Sequence, residues 1–187
     1  MIILASGSPR RHELLKKLCS NFKIEVSDAA EVQNDISPEH LAILNAKIKA
    51  QDVFNKNPGA IVIGADTIVV LNGKIFGKPK NPADAEKMLA ELANKKHEVI
   101  SGIAIIRDDG KIFTDCDVTE VYFGEMTAEE IENYVATGEP LDKSGSYALQ
   151  GGATKFIRKI NGDWANVVGL PVYKLKKLAE SANIDWR

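Results

Sequence analysis

Residues 60–71 read Ala-Ile-Val-Ile-Gly-Ala-Asp-Thr-Ile-Val-Val-Leu, and Asn72-Gly73 follows at once. No other stretch limits the fold so strongly. A run this apolar and this rich in β-branched residues reads as a buried strand pair or one long bent strand. Asn-Gly is a strong hairpin signal, and Lys74-Ile75-Phe76 is the returning strand. Further strands are expected at 1–5, 23–27, 97–107 and 111–123, with Asp109-Gly110 turning between the last two. Asn161-Gly162 is read as the turn between strands 153–160 and 164–168. Helical patterns occupy 9–19, 82–93 and 128–136, the last with Thr127 and Glu130 as a capping box. Ser37-Pro38 starts a helix to about Asn55 with Leu41, Leu44 and Ile48 on one face. Pro171 starts a final helix to about Ser181. Hairpins and helical crossovers both occur, which predicts an α/β chain with a mixed sheet.

Asp66 stands in the middle of the apolar run. A carboxylate there must be paired, bound to a metal or facing a cleft. Metal ligand and general base are its functional roles. Gly64 beside it allows a bulge or the close approach of a ligand.

A second feature lies at the start of the chain. Ser6-Gly7-Ser8-Pro9-Arg10-Arg11 joins the strand Ile2–Ala5 to an amphipathic helix. Ser8 suits the N-cap and Pro9 the first helical position. Arg10 and Arg11 then occupy a first turn where acidic residues are favoured. Broken local rules of this kind mark functional sites, and the residue set suits a phosphate-bearing ligand. Lys78 in Gly77-Lys78-Pro79 is a further cation within a short loop. Residues 137–152 read as a long structureless stretch rich in Gly and charge, with Gln150 able to read a base edge. Glu31 belongs to a local acidic segment, and Lys47 and Lys49 lie on the second helix.

Composition narrows the alternatives. The 187 residues suit one domain, or one domain with two lobes. A net charge of −2 and 6% aromatic residues argue against a nucleic-acid binder. No apolar run is long enough for a membrane span, and no signal sequence is present, so a cytoplasmic location is expected. Cys19 and Cys116 form neither a disulfide framework nor a metal motif. His12, His40 and His97 are scattered and read as surface or helix-end residues. Walker-type and Gly-x-Gly-x-x-Gly loops are both absent.

Taken in order, these segments resemble the Maf family of nucleotide pyrophosphatases. Ser6 to Leu15, Gly64-Ala65-Asp66-Thr67 and Gly77-Lys78-Pro79 carry the resemblance in the first half. Asp142 to Tyr147, Gln150-Gly151 and Val167 to Pro171 carry it in the second. The resemblance implies a mixed, twisted sheet with flanking helices, in a single domain spanning 1–187. It implies two lobes around a central cleft, as in inosine triphosphate pyrophosphatases. It also implies hydrolysis of nucleoside triphosphates to monophosphate and pyrophosphate with Mg²⁺ or Mn²⁺, and a cytoplasmic homodimer. Asp66 corresponds to the proton acceptor, with Ser8, Arg11, Glu31, Lys47 and Lys78 lining the active site. Asp66 and Glu31 would hold the metal. Arg10, Thr67 and Gln150 correspond to residues that set base choice, and this combination looks like the dTTP/UTP branch.

Alternatives of the same resemblance are a house-cleaning enzyme for modified nucleotides and a nucleotide-sensing regulator of cell division. The lysine assignment rests on helix register, with Lys49 the neighbouring choice. Ala93 to Lys96, Ser101-Gly102 and Trp164 depart from the family pattern and are expected to lie clear of the catalytic set.

Overall fold

The computed structural model describes residues 1–33 and 36–186. Among the described residues there are seven strands, β1 (Ile2–Leu4), β2 (Lys23–Ile24), β3 (Ile61–Leu71), β4 (Lys74–Phe76), β5 (Lys96–Ile106), β6 (Ile112–Phe123) and β7 (Ile157–Asn161). The same residues form the α-helices α1 (Pro9–Leu15), α2 (Pro38–Lys56), α3 (Pro82–Leu92), α4 (Ala128–Ala136), α5 (Trp164–Val168) and α6 (Val172–Ser181). The strands pair in the order β2-β1-β3-β5-β6-β7, with β4 on β3. β1 is parallel to β2 and β3, whereas β3–β4 and β6–β7 are antiparallel. The sheet is therefore mixed, as expected. The apolar run is one strand, and Asn72 and Gly73 both take positive φ in its turn.

Two compact units divide the chain. The first is Met1–Thr67, Ser101–Asp117 and Ala165–Arg187; the second is Ile68–Ile100 and Val118–Trp164. The core of the first unit is built from Ile3, Ala5, Val62, Ala104 and Ile106 on the strands and Ala46, Ala50 and Val53 on α2. The buried face of α2 is Leu41, Ala42, Asn45, Ala46, Ala50 and Val53. That differs from the expected Leu41, Leu44 and Ile48, because Leu44 and Ile48 are only half-buried. Glycines on the strands explain the change. A Cβ at Gly64 would lie 2.1 Å from the Ala46 carbonyl oxygen, and one at Gly102 would lie 2.2 Å from the Ala42 carbonyl carbon. The helix backbone rests directly on the strands at the two glycines, and the residues of closest approach, Ala42, Ala46 and Ala50, are alanines. The close approach at Gly64 is thus made by a helix.

In the second unit α3 packs on α4. Thr127 caps α4 with the expected capping box, a device that contributes about 1 kcal/mol. Residues 137–152 are not a surface loop. Pro140 and residues 145–149 are buried, and two short 3₁₀ turns shape the segment. The Gly145 N–H donates to the Gly77 carbonyl at 3.1 Å, tying the segment to the loop that carries Lys78. The Glu139 carboxylate accepts from the Gly152 N–H at 2.9 Å. His97 is 1% exposed, not a surface residue. Its ring packs edge-on to Phe123 and Tyr147, and its Nε2 lies 2.8 Å from the Tyr147 hydroxyl. Burial pushes the His97 pKa down to about 4. The expected strand at 164–168 is the short helix α5, and 153–156 form a 3₁₀ turn before β7.

Candidate active site

The first unit collects most of the candidate residues. Asp66 lies on β3, is 5% exposed, and its Oδ1 accepts from the Lys49 ammonium at 2.6 Å. The same ammonium donates to the Glu31 Oε1 at 2.7 Å. One cation therefore joins the two carboxylates that the sequence singled out. Lys47 is exposed and does not share this position. Residues two apart on an α-helix are about 200° apart around its axis, so both lysines cannot face the strands. Lys47 instead lines an open, largely apolar groove of about 540 Å³ with Ile36, His40, Ile43, Leu44, Ile112 and Thr114. The shift from Lys47 to Lys49 follows from the alanine-lined contact face of α2 described above.

Glu31 reaches Lys49 because the segment before it lies along a polar stripe of α2. Asn45, Lys49, Asp52 and Lys56 recur at spacings of four, three and four, which places them on one helix face. The Asn45 amide accepts from the Val32 N–H at 2.9 Å and donates to the Val32 carbonyl at 3.3 Å. The Asp52 carboxylate accepts from the Ser27 hydroxyl at 2.9 Å and from the Asp28 N–H at 2.8 Å. Lys56 pairs with Asp28 at 2.9 Å. The Asp28 amide, with the Ser27 hydroxyl and Lys56, holds the Asp52 pKa below the usual carboxylate range.

Arg11 is fixed by three acceptors. Its Nε donates to the Gly169 carbonyl at 2.7 Å, one terminal nitrogen to the Thr67 hydroxyl at 3.0 Å and the other to the Ser6 hydroxyl at 3.4 Å. Burial lowers its pKa, and the Asp66 carboxylate opposes that change. An arginine remains charged across the physiological range all the same. Arg10 lowers it further and Glu31 raises it, so these charges share one electrostatic neighbourhood.

Ser101 completes the network. Its hydroxyl donates to the Asn166 carbonyl at 3.0 Å and lies 2.8 Å from the Thr67 hydroxyl. With the Ser101 proton directed at Asn166, Thr67 donates to Ser101 and accepts from Arg11. The Ser101 departure therefore touches Thr67, a residue assigned to base choice, and no residue of the proposed catalytic set. Gly169 takes a φ of +122°, and its carbonyl serves as a seat for Arg11.

Ser8 occupies the N-cap of α1, with Pro9 in the first turn, but its side chain makes no capping hydrogen bond. Its backbone N–H donates to the Ser6 hydroxyl at 3.2 Å. Lys78 and Gln150 belong to the second unit, where both are exposed. Sequence reasoning missed Asn45, Ser101 and the Gly169 carbonyl. Ser101 carried a usable signal, being a polar residue in the apolar run Val99 to Ile106, as Asp66 is in its own run.

Among the described residues, no group of three or more His, Cys, Asp or Glu side chains is arranged to hold a metal. Two carboxylates around one cation position is nevertheless a donor set of the right chemistry for Mg²⁺ or Mn²⁺. Such ions take hard oxygen ligands, and Mg²⁺ commonly uses one or two carboxylates together with substrate phosphates.

A HAM1 protein from Coxiella burnetii superposes with a TM-score of 0.50 at 14% identity, over 96% of this chain and 98% of that one. This likeness is one of fold. A dTTP/UTP pyrophosphatase of Alkaliphilus metalliredigens is 52% identical over 177 residues, covering 93% of this chain and 92% of the relative. A dTTP/UTP pyrophosphatase of Bacillus cereus is 48% identical over 185 residues, covering 98% and 96%. The family description "Maf-like protein" matches residues 1–182. With the motifs in order from Ser6 to Pro171 and this match across almost the whole length, the chain belongs to the Maf-like protein family.

Proposed function

We propose that the chain hydrolyses dTTP and UTP to the monophosphate and pyrophosphate. The carrying observation is the single ammonium of Lys49 shared by Asp66 and Glu31, with the guanidinium of Arg11 in the same electrostatic neighbourhood. Lys49 contacts both carboxylates, and the charges of Arg10, Arg11, Asp66 and Glu31 act on one another. That balance suits a polyanionic substrate, and phosphoryl transfer depends mainly on positioning and charge neutralisation.

In the proposed reaction a water oxygen bonds to the α-phosphorus, and the bond from that phosphorus to the α–β bridging oxygen breaks. The bridging oxygen leaves with pyrophosphate. Asp66 accepts the water proton. Arg11, already held by three acceptors, offers its charge to the phosphate oxygens without having to be ordered first. Lys49 is the second such cation, and Ser8 contributes a hydroxyl not used for capping. Glu31 and Asp66 would hold the divalent cation, which when bound neutralises phosphate charge and acidifies coordinated water. Arg10 and Gln150 are assigned to the pyrimidine, and Thr67 acts in part by holding Arg11. Lys78 and Gln150 enter this proposal on their motifs.

The proposal also takes the protein to be a cytoplasmic homodimer that needs neither membrane nor nucleic acid. Among the described residues, no helix is long and apolar enough to cross a membrane. The test is pyrophosphate release from dTTP, UTP, CTP, GTP and 7-methyl-GTP, with and without Mg²⁺ or Mn²⁺. Metal-dependent release from dTTP and UTP above the others is expected. Orthophosphate as first product, or a preference for 7-methyl-GTP, would overturn the reading.

A further inference from the structure

We propose that Asn45 is a positioning residue for Glu31, and through Glu31 for the divalent cation of the reaction proposed above, on which this inference rests. Asn45 is 3% exposed and is the one polar residue on the buried face of α2, beside Leu41, Ala42, Ala46, Ala50 and Val53. A primary amide placed there loses its hydration and must recover it in hydrogen bonds. Both of its ends go to one residue: Oδ1 accepts from the Val32 N–H at 2.9 Å, and Nδ2 donates to the Val32 carbonyl at 3.3 Å. The opposite amide orientation would set oxygen against oxygen and N–H against N–H, so one rotamer alone satisfies both bonds.

The consequence falls on the neighbouring residue. Residues 26–33 lie outside helix and strand, and the backbone ladder with β1 ends at the Glu25 N–H, which donates to the Leu4 carbonyl. Glu31 reaches Lys49 with a side chain that is 49% exposed. On its N-terminal side the backbone is anchored at Ser27 and Asp28 by Asp52. On its C-terminal side the anchor is the Asn45 clamp, one residue away. Removing the clamp loosens the backbone beside Glu31, which then relies on the anchored Asp28 and Ala29 amides before it. The carboxylate would then be ordered at the moment of metal binding, at a cost in affinity.

The test uses the full chain and Mn²⁺ alone, by isothermal titration, alongside the Mn²⁺ dependence of pyrophosphate release. Asn45→Leu should bind Mn²⁺ about 10-fold more weakly than wild type, the low end of the effect of losing a group that orients a metal ligand. Half-maximal activity should require correspondingly more Mn²⁺, with kcat at saturating metal nearly retained. Glu31→Gln should also weaken binding, and adding Asn45→Leu to it should weaken binding no further. Asn45→Asp keeps the acceptor for the Val32 N–H and should fall between wild type and Asn45→Leu. It also carries the test if the leucine variant does not fold. Wild-type Mn²⁺ affinity in the folded asparagine variants would overturn the inference, as would an undiminished effect of Asn45→Leu in the Glu31→Gln background. A wild-type protein that releases no pyrophosphate from any nucleotide would instead overturn the functional reading, and this inference with it.

Discussion

The two units treat their polar residues in opposite ways. In the first, every charged candidate except Arg10 and Lys47 is held: Lys49 by Asp66 and Glu31, and Arg11 by Gly169, Thr67 and Ser6. In the second, the motif residues Lys78 and Gln150 are exposed, while a buried polar contact, His97 with Tyr147, packs against the ring of Phe123. In the proposed reaction the first unit is therefore ordered before substrate arrives. In the second, internal order serves packing, and the motif side chains retain freedom that a ligand must remove. Changes in the first unit should thus cost catalysis through a network. Changes at the second unit's motif should act one residue at a time.

The largest expected effect belongs to Asp66→Asn. Turnover should fall by about 10³-fold, the scale of a lost general base, with nucleotide binding preserved in a direct binding measurement. Wild-type kcat in this variant would remove Asp66 from the reaction.

Next in size is the lysine pair on α2. Lys49→Met should lower kcat/KM by about 10²-fold, as removal of one preorganised charge does. Lys47→Met should stay within about twofold of wild type, as surface changes away from a site do. The reverse order would restore the register read from sequence.

The third prediction concerns stability in the second unit. The His97 pKa is pushed down to about 4 by burial, whereas an unfolded histidine titrates near the ordinary value of 6.5. Below pH 6.5 the unfolded chain takes up a proton that the folded chain refuses, so stability falls as pH drops from about 6.5 to about 4. The loss attributable to this residue is up to about 3 kcal/mol at pH 4. His97→Gln should flatten that interval in urea titrations at stepped pH, without altering kcat. Below it, the depressed carboxylates take over. Glu120 is held down to about 2 by Asn161, Lys96 and Tyr122, and Asp109 to about 2 by Arg107 and the Lys111 amide. Their contributions are present above the ordinary carboxylate pKa and are lost as pH falls toward 2.

The smallest effect is expected at Lys78→Ala. KM for dTTP should rise by about 10-fold, with the melting temperature unchanged, since one charged hydrogen bond is removed and no internal contact with it. A lowered melting temperature would show that the second unit's motif is also built into its packing, and the contrast between the units would weaken.

Much of the fold was legible because its signals are local. The Asn72-Gly73 hairpin, the Thr127–Glu130 capping box and the Ser37-Pro38 start each depend on a few adjacent residues, and each stands where the sequence placed it. The phase of α2 was not legible from hydrophobicity. Its contact face is chosen by glycines about twenty and sixty residues away in sequence from the alanines they meet, so alanines outrank Leu44 and Ile48. With that phase, α2 presents Lys49 rather than Lys47 to Asp66 and Glu31. Residues 137–152 were misread for a related reason. Glycine and charge suggest solvent, yet Gly145 lies 2.8 Å, measured from an added Cβ, from the Val69 side chain. The absence of a side chain there permits burial.

Gly64 and Gly102 act as shims. The clearance between helix and strands is set by two missing methyl groups, and every polar contact along the α2 stripe inherits that setting. Hydrogen bonds tolerate a few tenths of an ångström before they weaken. Even the smallest replacement, alanine, would ask the helix backbone to retreat by on the order of an ångström. The alignment of Lys49 with Asp66 would then slip, although no charged residue had been touched. The working gap of this site is fixed by atoms the protein leaves out.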